Sequence, residues 1–492
     1  MTDLLSEATT LLSEDIWKGK LFTGEWTAAS VVQPVVEPAT GSTIGELGIA
    51  TVDDVTAAAA RAAVAQRDWA KTTPETRAAV LRRAGQLWEQ HADEIGSWII
   101  REAGSIPVKA GLETHIAANE CYEAAGLPSH PHGEVLTSND PRWSFARRLP
   151  AGVVAVIAPF NFPLILSIRS VAPALALGNA VILKPDARTG VCGGIALARI
   201  FEEAGLPAGL FQVLPGGADV GAALVEAPEV RIISFTGSTP AGRAVGEAAA
   251  RHLKRAHLEL GGNNALLVLP GADIAKAASA GAFGSFLHQG QICMTTGRHF
   301  VHVSQYDEYV AALAEKAAHL PVGDPATGAV ALGPIIDERQ RDRIHSIVTA
   351  AADKGARIAA GGEYDSLFYR PTVLADITPD NPAFAEEIFG PVAPVFAYET
   401  LDQAVELINA NEYGLSVGIL GDVGTAMDVA DRIESGKIHI NEQTVSDEAN
   451  APFGGVKASG TGSRFGGAAA NIEAFTETQW LTVRSEIAPY PF

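Results

Sequence analysis

Cysteine is scarce in this chain, three residues in 492. Three cysteines without regular spacing build neither a disulfide framework nor a zinc site, so an intracellular, cytoplasmic protein without a metal is expected. Basic residues are also short. Lys and Arg total 36 against 57 Asp and Glu, a net charge of −21, which argues against nucleic acid and anionic membrane as partners. Long apolar runs are missing too. The most apolar stretch, residues 149–183, is broken by Pro150, Pro159, Pro163 and Pro173 and contains Arg169. It reads as strand, helix and strand rather than a membrane span. The first twenty residues carry Asp3, Glu7, Glu14 and Asp15 and no basic segment followed by an apolar one, which argues against a signal peptide. No tract is low in complexity and no internal repeat is evident.

What is present is ample apolar material, 47% of the chain, enough for a large core and too long for one, so two or three domains are expected. Residues 1–50 read as a short helix and then irregular strands around 22–26 and 35–37. Helices follow at 53–70, at 73–104 with Thr73 as cap and Pro74 at the first turn, and at 108–125. Residues 133–148 suggest a hairpin turning at Asn139-Asp140-Pro141. A hairpin alone is barely stable in water, so it needs a partner, and the extended segment 475–483 is a candidate.

From Gly152 onward strands and helices alternate: strands at 153–158, 180–183, 210–214 and 231–235, helices at 163–177, 189–204, 217–225 and 238–250. Continuous apolar strands alternating with helices predict a parallel sheet covered on both faces. Ligands of such sheets bind at the carboxyl ends of the strands, where Pro159-Phe-Asn-Phe-Pro163, Lys184-Pro-Asp186, Pro215-Gly-Gly217 and Thr236-Gly-Ser238 fall. A second α/β region runs from about 259 to 474, with helices near 337–354, 401–409 and 425–434.

Ser285-Phe-Leu-His-Gln-Gly-Gln-Ile-Cys-Met294 places Cys293 just behind Gly290, at the end of a helix expected from about 273. Beside oriented N–H donors a cysteine works as a thiolate nucleophile; elsewhere it is a small buried hydrophobe. Glu259 ends a strand in His257-Leu-Glu-Leu-Gly-Gly262. Buried there, its raised pKa suits general-base work; exposed, it is an ordinary strand-end carboxylate. Asn161 can donate to an oxyanion or cap a turn. Lys184 can meet phosphate or ribose oxygens or sit on the surface. Phe235-Thr-Gly-Ser238 is a strand-to-helix turn whose helix N-terminus can hold phosphate, without the three-glycine Rossmann fingerprint. Glu387-Ile-Phe-Gly-Pro391 supplies a carboxylate that could hold a ribose diol. Cys121 and Cys192 fall on expected helices and read as structural.

Asn161 in Pro-Phe-Asn-Phe-Pro, Lys184-Pro, Phe-Thr-Gly-Ser, Glu-Leu-Gly-Gly, Gly-Gln-x-Cys, Glu-Glu-Ile-Phe-Gly-Pro and Pro452-Phe-Gly-Gly-Val-Lys457 stand in the order and spacing of the aldehyde dehydrogenase superfamily. The resemblance covers nearly the whole chain. Val181 to Gly194, with Arg147-Arg148, is most similar to the bacterial NAD-dependent benzaldehyde dehydrogenases of aromatic degradation.

That resemblance implies an α/β protein: a Rossmann-like cofactor domain (1–126 and 149–258), an α/β catalytic domain (259–474) and a small β oligomerisation element (127–148 and 475–492) in a homodimer or homotetramer. It implies oxidation of a benzaldehyde-like aldehyde to the acid. Cys293 would be the nucleophile, Asn161 the oxyanion donor with the Cys293 N–H, and Glu259 the activator of the hydrolytic water. The implied cofactor is NAD, with NADP left open, along Ala158, Pro159, Phe160, Lys184, Asp186, Gly217, Phe235, Thr236, Gly237, Ser238, Leu260, Gly261, Glu387 and Phe389. One position departs from the pattern: where NAD-preferring members often carry Glu, three residues after the lysine, stands Ala187, flanked by Asp186 and Arg188. Asp186 could bind a ribose hydroxyl, Arg188 a 2′-phosphate. The aldehyde would sit among Phe162, Leu166, Arg169, Ile292, Met294, Asp447 and Phe453. Alternatives are an aliphatic-aldehyde enzyme, a relative that passes the acyl group to coenzyme A, which Glu259 argues against, and a silent binding relative.

Overall fold

The computed structural model describes residues 10–492. Two seven-stranded sheets organise it. In the first, strands Arg255–Glu259, Val230–Thr236, Val153–Ile157, Ala180–Lys184 and Phe211–Val213 lie side by side and parallel. The hairpin Lys20–Phe22/Trp26–Ala28 closes the far edge in antiparallel fashion. Every residue of Val153–Ile157 is buried, as helices on both faces require of a central parallel strand. Register aligns the strand ends. Thr236 pairs with Glu259, Phe235 with Ile157, and Ile157 with Lys184, so these strands finish together on one edge.

Four residues after Glu259 the chain enters the second sheet at Asn264–Val268. Its order is Arg357–Ala360, Thr372–Ala375, Val392–Tyr398, Thr296–His302, Asn264–Val268, Ser416–Leu420, Lys437–Ile440. All but the first are parallel. A third sheet pairs Thr476–Val483 with Trp143–Pro150 over eight residues, and the latter with Gly133–Val135. The expected hairpin thus exists and the C-terminal strand is its partner. Among the described residues no helix is long and apolar enough to cross a membrane.

Several expected elements differ. The expected strand at 22–26 is the turn between two strands, and 35–37 only the end of Val31–Val36; the early helix covers just Glu14–Trp17, and residues 1–9 lie outside those described. The helix expected over 73–104 is two, Pro74–Gln90 and Ala92–Ala103, because His91 leaves helical geometry (φ −108°, ψ 18°). In the helix expected over 189–204, residues Val191–Ile195 wind as a wider π-turn before Ala196–Glu203. The buried Glu102 carboxylate accepts from the Val191 and Cys192 N–H groups (3.0 and 2.7 Å), replacing the carbonyls that an α-helix would offer. The late helix is Val423–Ala430 and stops before 434.

The largest correction concerns Cys293. The helix expected to carry it, Ile274–Phe286, ends seven residues early. His288 (φ 49°), Gln289 (φ 55°) and Gly290 (φ 64°) then take left-handed conformations, and Cys293 lies in the loop before Thr296–His302. Left-handed non-glycine residues cost of order 1–3 kcal/mol each and persist only where the surroundings over-determine them.

Candidate active site

Side-chain amides and hydroxyls supply that over-determination. Gln289 Nε2 donates to the carbonyls of Gly104 (3.0 Å) and Pro334 (2.8 Å). Gln291 Oε1 accepts from the Ile336 N–H (3.1 Å). Thr295 Oγ1 donates to the Gly290 carbonyl (2.9 Å) and accepts from Ile292 N–H. Asn264 Nδ2 donates to the carbonyls of Cys293 and Thr295, both at 2.8 Å. Only glycine fits at 290: an added Cβ would lie 2.0 Å from the Gly390 carbonyl oxygen. In this clamped loop the Cys293 N–H has no protein partner among the described residues.

Asn161 follows the strand Val153–Ile157 and is 3% exposed. Its Nδ2 donates to the Gln291 carbonyl (2.8 Å), while its Oδ1 has no partner. Beneath it lies a buried ion pair on the helix Pro107–Gly126, Lys109 with Glu113. The Lys109 ammonium also donates to the Asn161 carbonyl (2.8 Å) and lies over the Phe162 ring. Glu113 accepts from the N–H groups of Leu164 and Ile165 at the start of the helix Pro163–Ala176. A carboxylate at a helix N-terminus satisfies orphan donors and complements the dipole.

Cys293 faces a cavity of about 90 Å³ lined with Asn161 and with Phe162, Leu166, Arg169, Ile292, Met294, Asp447 and Phe453. All seven residues expected around an aldehyde are therefore brought together. The sequence reading missed Leu112, Ile116, Ile165, Phe283, Leu287 and Val445, which complete the wall. Leu112 and Ile116 stand four apart on the helix Pro107–Gly126, a spacing that puts them on one face; Phe283 lies in the last turn of Ile274–Phe286, and Leu287 is where that helix stops. Nothing in the sequence showed that these residues meet a cavity rather than the core. Burial pushes the Cys293 thiol up to about 12, against the opposing pull of the Lys437 ammonium.

Arg169 is the polar feature of the cavity. One guanidinium nitrogen, Nη2, contacts Asp447 at 2.5 Å and Glu120 at 3.5 Å. Its plane lies 4.6 Å from the Phe453 ring centre, and Nε and Nη1 have no partner.

Glu259 does not line this cavity. It ends its strand 3% exposed, with neither carboxylate oxygen bonded. Burial holds its pKa well above the ordinary value, opposed by Arg464, Arg169 and Lys437. Its main chain is fixed instead, the carbonyl accepting from the Gly237 N–H (3.0 Å). Leu260 packs inward on Gly242, and a Cβ at Gly261 would meet the Glu387 carboxylate at 2.2 Å. Glu387 accepts from the Gly262 N–H (3.0 Å), and burial raises its pKa to about 7. Glu387, Phe389 and Gly262 line a second recess that meets the cavity at Ile292. Phe389 also stands edge-on to Phe160.

The other expected cofactor positions follow the carboxyl edge of the first sheet. Ala158, Pro159 and Phe160 continue from Ile157. Lys184 ends its strand half-buried, its pKa lowered by burial. Gly217 precedes the helix Ala218–Glu226. Phe235, Thr236 and Gly237 lead to Ser238, which caps the helix Thr239–Arg251 without using its side chain, leaving that N-terminus open. Asp186 and Arg188 are not rivals: Arg188 donates to both Asp186 oxygens (2.9 and 2.7 Å). It also reaches Asp337 (2.5 Å), which the sequence reading missed, and lies over Phe160.

Such a two-sheet α/β fold, with an open nucleotide edge running toward one accessible thiol in a clamped loop, defines an enzyme that uses a cysteine beside a dinucleotide. The chain belongs to the aldehyde dehydrogenase family, whose model matches residues 26–481. It is 67% identical to a vanillin dehydrogenase of Amycolatopsis sp. over 98% of this chain and 99% of that one. It is 47% identical to a benzaldehyde dehydrogenase [NAD(+)] of Pseudomonas putida, covering 97% and 99%. The crystal structure of a salicylaldehyde dehydrogenase from Pseudomonas putida G7 complexed with salicylaldehyde superposes with a TM-score of 0.93 at 36% identity, covering 97% and 100%.

Proposed function

We propose that this protein oxidises aromatic aldehydes to carboxylic acids with NAD, and that ring-oxygenated benzaldehydes are its substrates. The observation that carries this reading is the cavity itself. Its walls are aromatic and aliphatic, the Cys293 thiol opens into it, and its one cation, Arg169, has two N–H-bearing nitrogens without partners. Flat rings pack against Phe162 and Phe453, and a ring oxygen would satisfy Arg169. The volume is of the order of the ~150 Å³ cavity that takes up benzene.

In this reading the Cys293 sulfur, as thiolate, bonds to the aldehyde carbon. The oxygen that becomes anionic is held by the free Cys293 N–H and by Asn161 Nδ2, whose second N–H is not needed by Gln291. NAD, when bound, supplies the acceptor for the hydride of that carbon. Cys293 then carries the acyl group as a thioester. Glu259, as carboxylate, takes a proton from water, whose oxygen bonds to the acyl carbon and releases the acid and the sulfur.

The donor set fits NAD. The open helix N-terminus at Ser238 suits a pyrophosphate, and Lys184 and Glu387 suit ribose hydroxyls. Lys184 and Arg188 are balanced by Asp186 and Asp337, which leaves no surplus charge for a 2′-phosphate. We also place the division between cofactor and catalytic domains at 258/259, next to residues 260–263 where the chain crosses between sheets, and assign the three-stranded sheet to assembly of a cytoplasmic homo-oligomer.

The test is a kcat/KM panel with vanillin, benzaldehyde, propanal and hexanal, with NAD and NADP, with and without coenzyme A. Preference for hexanal overturns the aromatic reading. Dependence on coenzyme A overturns hydrolysis. Cys293→Ala that still turns over aldehyde overturns the nucleophile.

A further inference from the structure

Lys437 is a half-buried cation with no part in the steps from aldehyde to acid. It opens the strand Lys437–Ile440 at the edge of the second sheet. Its side chain runs back beneath the nucleophile loop. The ammonium rests against the Met294 sulfur, donates to the Ser446 carbonyl (2.7 Å), and lies 4.5 Å from the Phe453 ring centre. All three partners are uncharged. Met294 and Phe453 line the cavity together with Cys293, whereas Lys437 stands behind them. A largely desolvated ammonium with no carboxylate in contact is costly, so its counter-charge needs to be found.

The charged groups around it are few. Asp447 is the carboxylate that acts most on Lys437, but its Oδ2 is held by Arg169 at 2.5 Å. Glu120, on the far side of Arg169, has its pKa raised to about 7 by burial. Glu259 is likewise pushed toward its neutral form by burial. Arg464 gives its guanidinium to the carbonyls of Gly455 and Ser463. His439, on the same strand, is held neutral by burial and by Lys437 itself. Glu387 accepts from the Gly262 N–H in the second recess, which Lys437 does not line. Of the three cations around the thiol, Arg169, Lys437 and Arg464, only Arg169 has carboxylates within ion-pair distance among the described residues.

We propose that Lys437 is a positioning residue for the nucleophile, its ammonium being the counter-charge against which the Cys293 thiolate forms. The proposal rests on the reading of Cys293 as nucleophile. It gives the site a means of ionising a thiol in apolar surroundings without adding a second cation beside Arg169 in the cavity, where it would meet the substrate. Consistently, Lys437 is the foremost influence lowering the pKa of Cys293 against burial.

The experiment follows the alkylation rate of Cys293 by iodoacetamide against pH in the full chain without substrate or cofactor. Cys121 and Cys192 are fully buried, and Cys293→Ala supplies the blank. In Lys437→Met the reactivity profile is expected to move up by at least one pH unit, so that alkylation at pH 8 is about tenfold slower. Lys437→Arg is expected to keep the wild-type profile. Lys437→Gln replaces Lys437→Met if the latter does not fold, with the same expected shift. A neutral variant whose profile superimposes on wild type overturns the proposal, as does an arginine variant that shifts equally far. Either result leaves the nucleophile itself standing, because that is judged by turnover of Cys293→Ala.

Discussion

The Lys109 ammonium donates to the main-chain carbonyl of Asn161 at 2.8 Å, so a buried ion pair on one helix sets the position of an amide at the mouth of the next. Glu113 extends the link to the first turn of that second helix. Removing one partner of a buried pair leaves an uncompensated charge, at a cost of about 3–5 kcal/mol. Lys109→Met is expected to lose stability on that scale, read from the denaturant midpoint, and Lys109→Met/Glu113→Leu to recover part of it. A single variant as stable as wild type would show that the two groups do not depend on each other's charge.

Asn161→Ala removes a donor from the oxyanion site and also the tie to Gln291. Loss of one such donor typically costs 10²–10³ in rate, or about 2.7–4 kcal/mol. The drop is expected in kcat, with NAD affinity retained in a fluorescence titration. A drop confined to KM would move Asn161 from transition-state to ground-state binding.

Glu259→Gln is expected to give a burst of NADH and then slow turnover, because the base acts after hydride has left. Stability carries a second sign. The raised pKa means that the folded state holds this proton more tightly than the unfolded chain does. Glu259 therefore destabilises the fold increasingly as pH rises above the unfolded carboxylate value. The neutral glutamine removes that penalty, so the variant's Tm should exceed wild type by a margin that grows between pH 6 and pH 9. An equal Tm at every pH would show that Glu259 ionises freely.

Asp186→Asn leaves Arg188 with one carboxylate fewer and adds net positive charge beside Lys184. The kcat/KM ratio of NADP to NAD should rise at least tenfold, about 1.4 kcal/mol. Arg188→Ala frees Asp186 and should lower the same ratio. If neither moves it, the ribose edge is set elsewhere.

Trp143 and Val135 on one face of the three-stranded sheet, and Trp480 on the other, are each about two-thirds exposed. Apolar side chains gathered at an exposed sheet suit a second copy. Light scattering is expected to give a dimer or tetramer, and deletion after Phe475 a monomer or aggregate. An active full-length monomer would refute the assignment.

The alternating strands and helices of the first sheet could be read from the sequence because buried parallel strands are continuous apolar runs. Even the edge where they end was legible, since Lys184 is the first polar residue after its run and Thr236 and Glu259 stand just before glycine-containing turns. The seven pocket positions followed from family motifs, not from periodicity. What escaped was local and three-dimensional. The helix before Cys293 stops where it does because Gln289 and Gln291 find carbonyls and N–H groups on distant segments, around Gly104 and residues 334–336. No window of sequence contains both ends of such a bond. Arg188 and Asp186 looked like competitors because adjacency on paper does not show that a guanidinium has folded onto its neighbour.

The cavity wall has a practical corollary. Cys293 and Asn161 are set by loops whose backbone is pinned from several sides. Leu112, Ile116 and Phe283, by contrast, project from helices that bear none of the reacting groups. Enlarging or narrowing the chamber at these three positions should retune which ring substituents are accepted while the bond-making steps run unaltered. Diversity in the aldehyde can thus accumulate, in a laboratory library or in descent, on surfaces that the chemistry does not police.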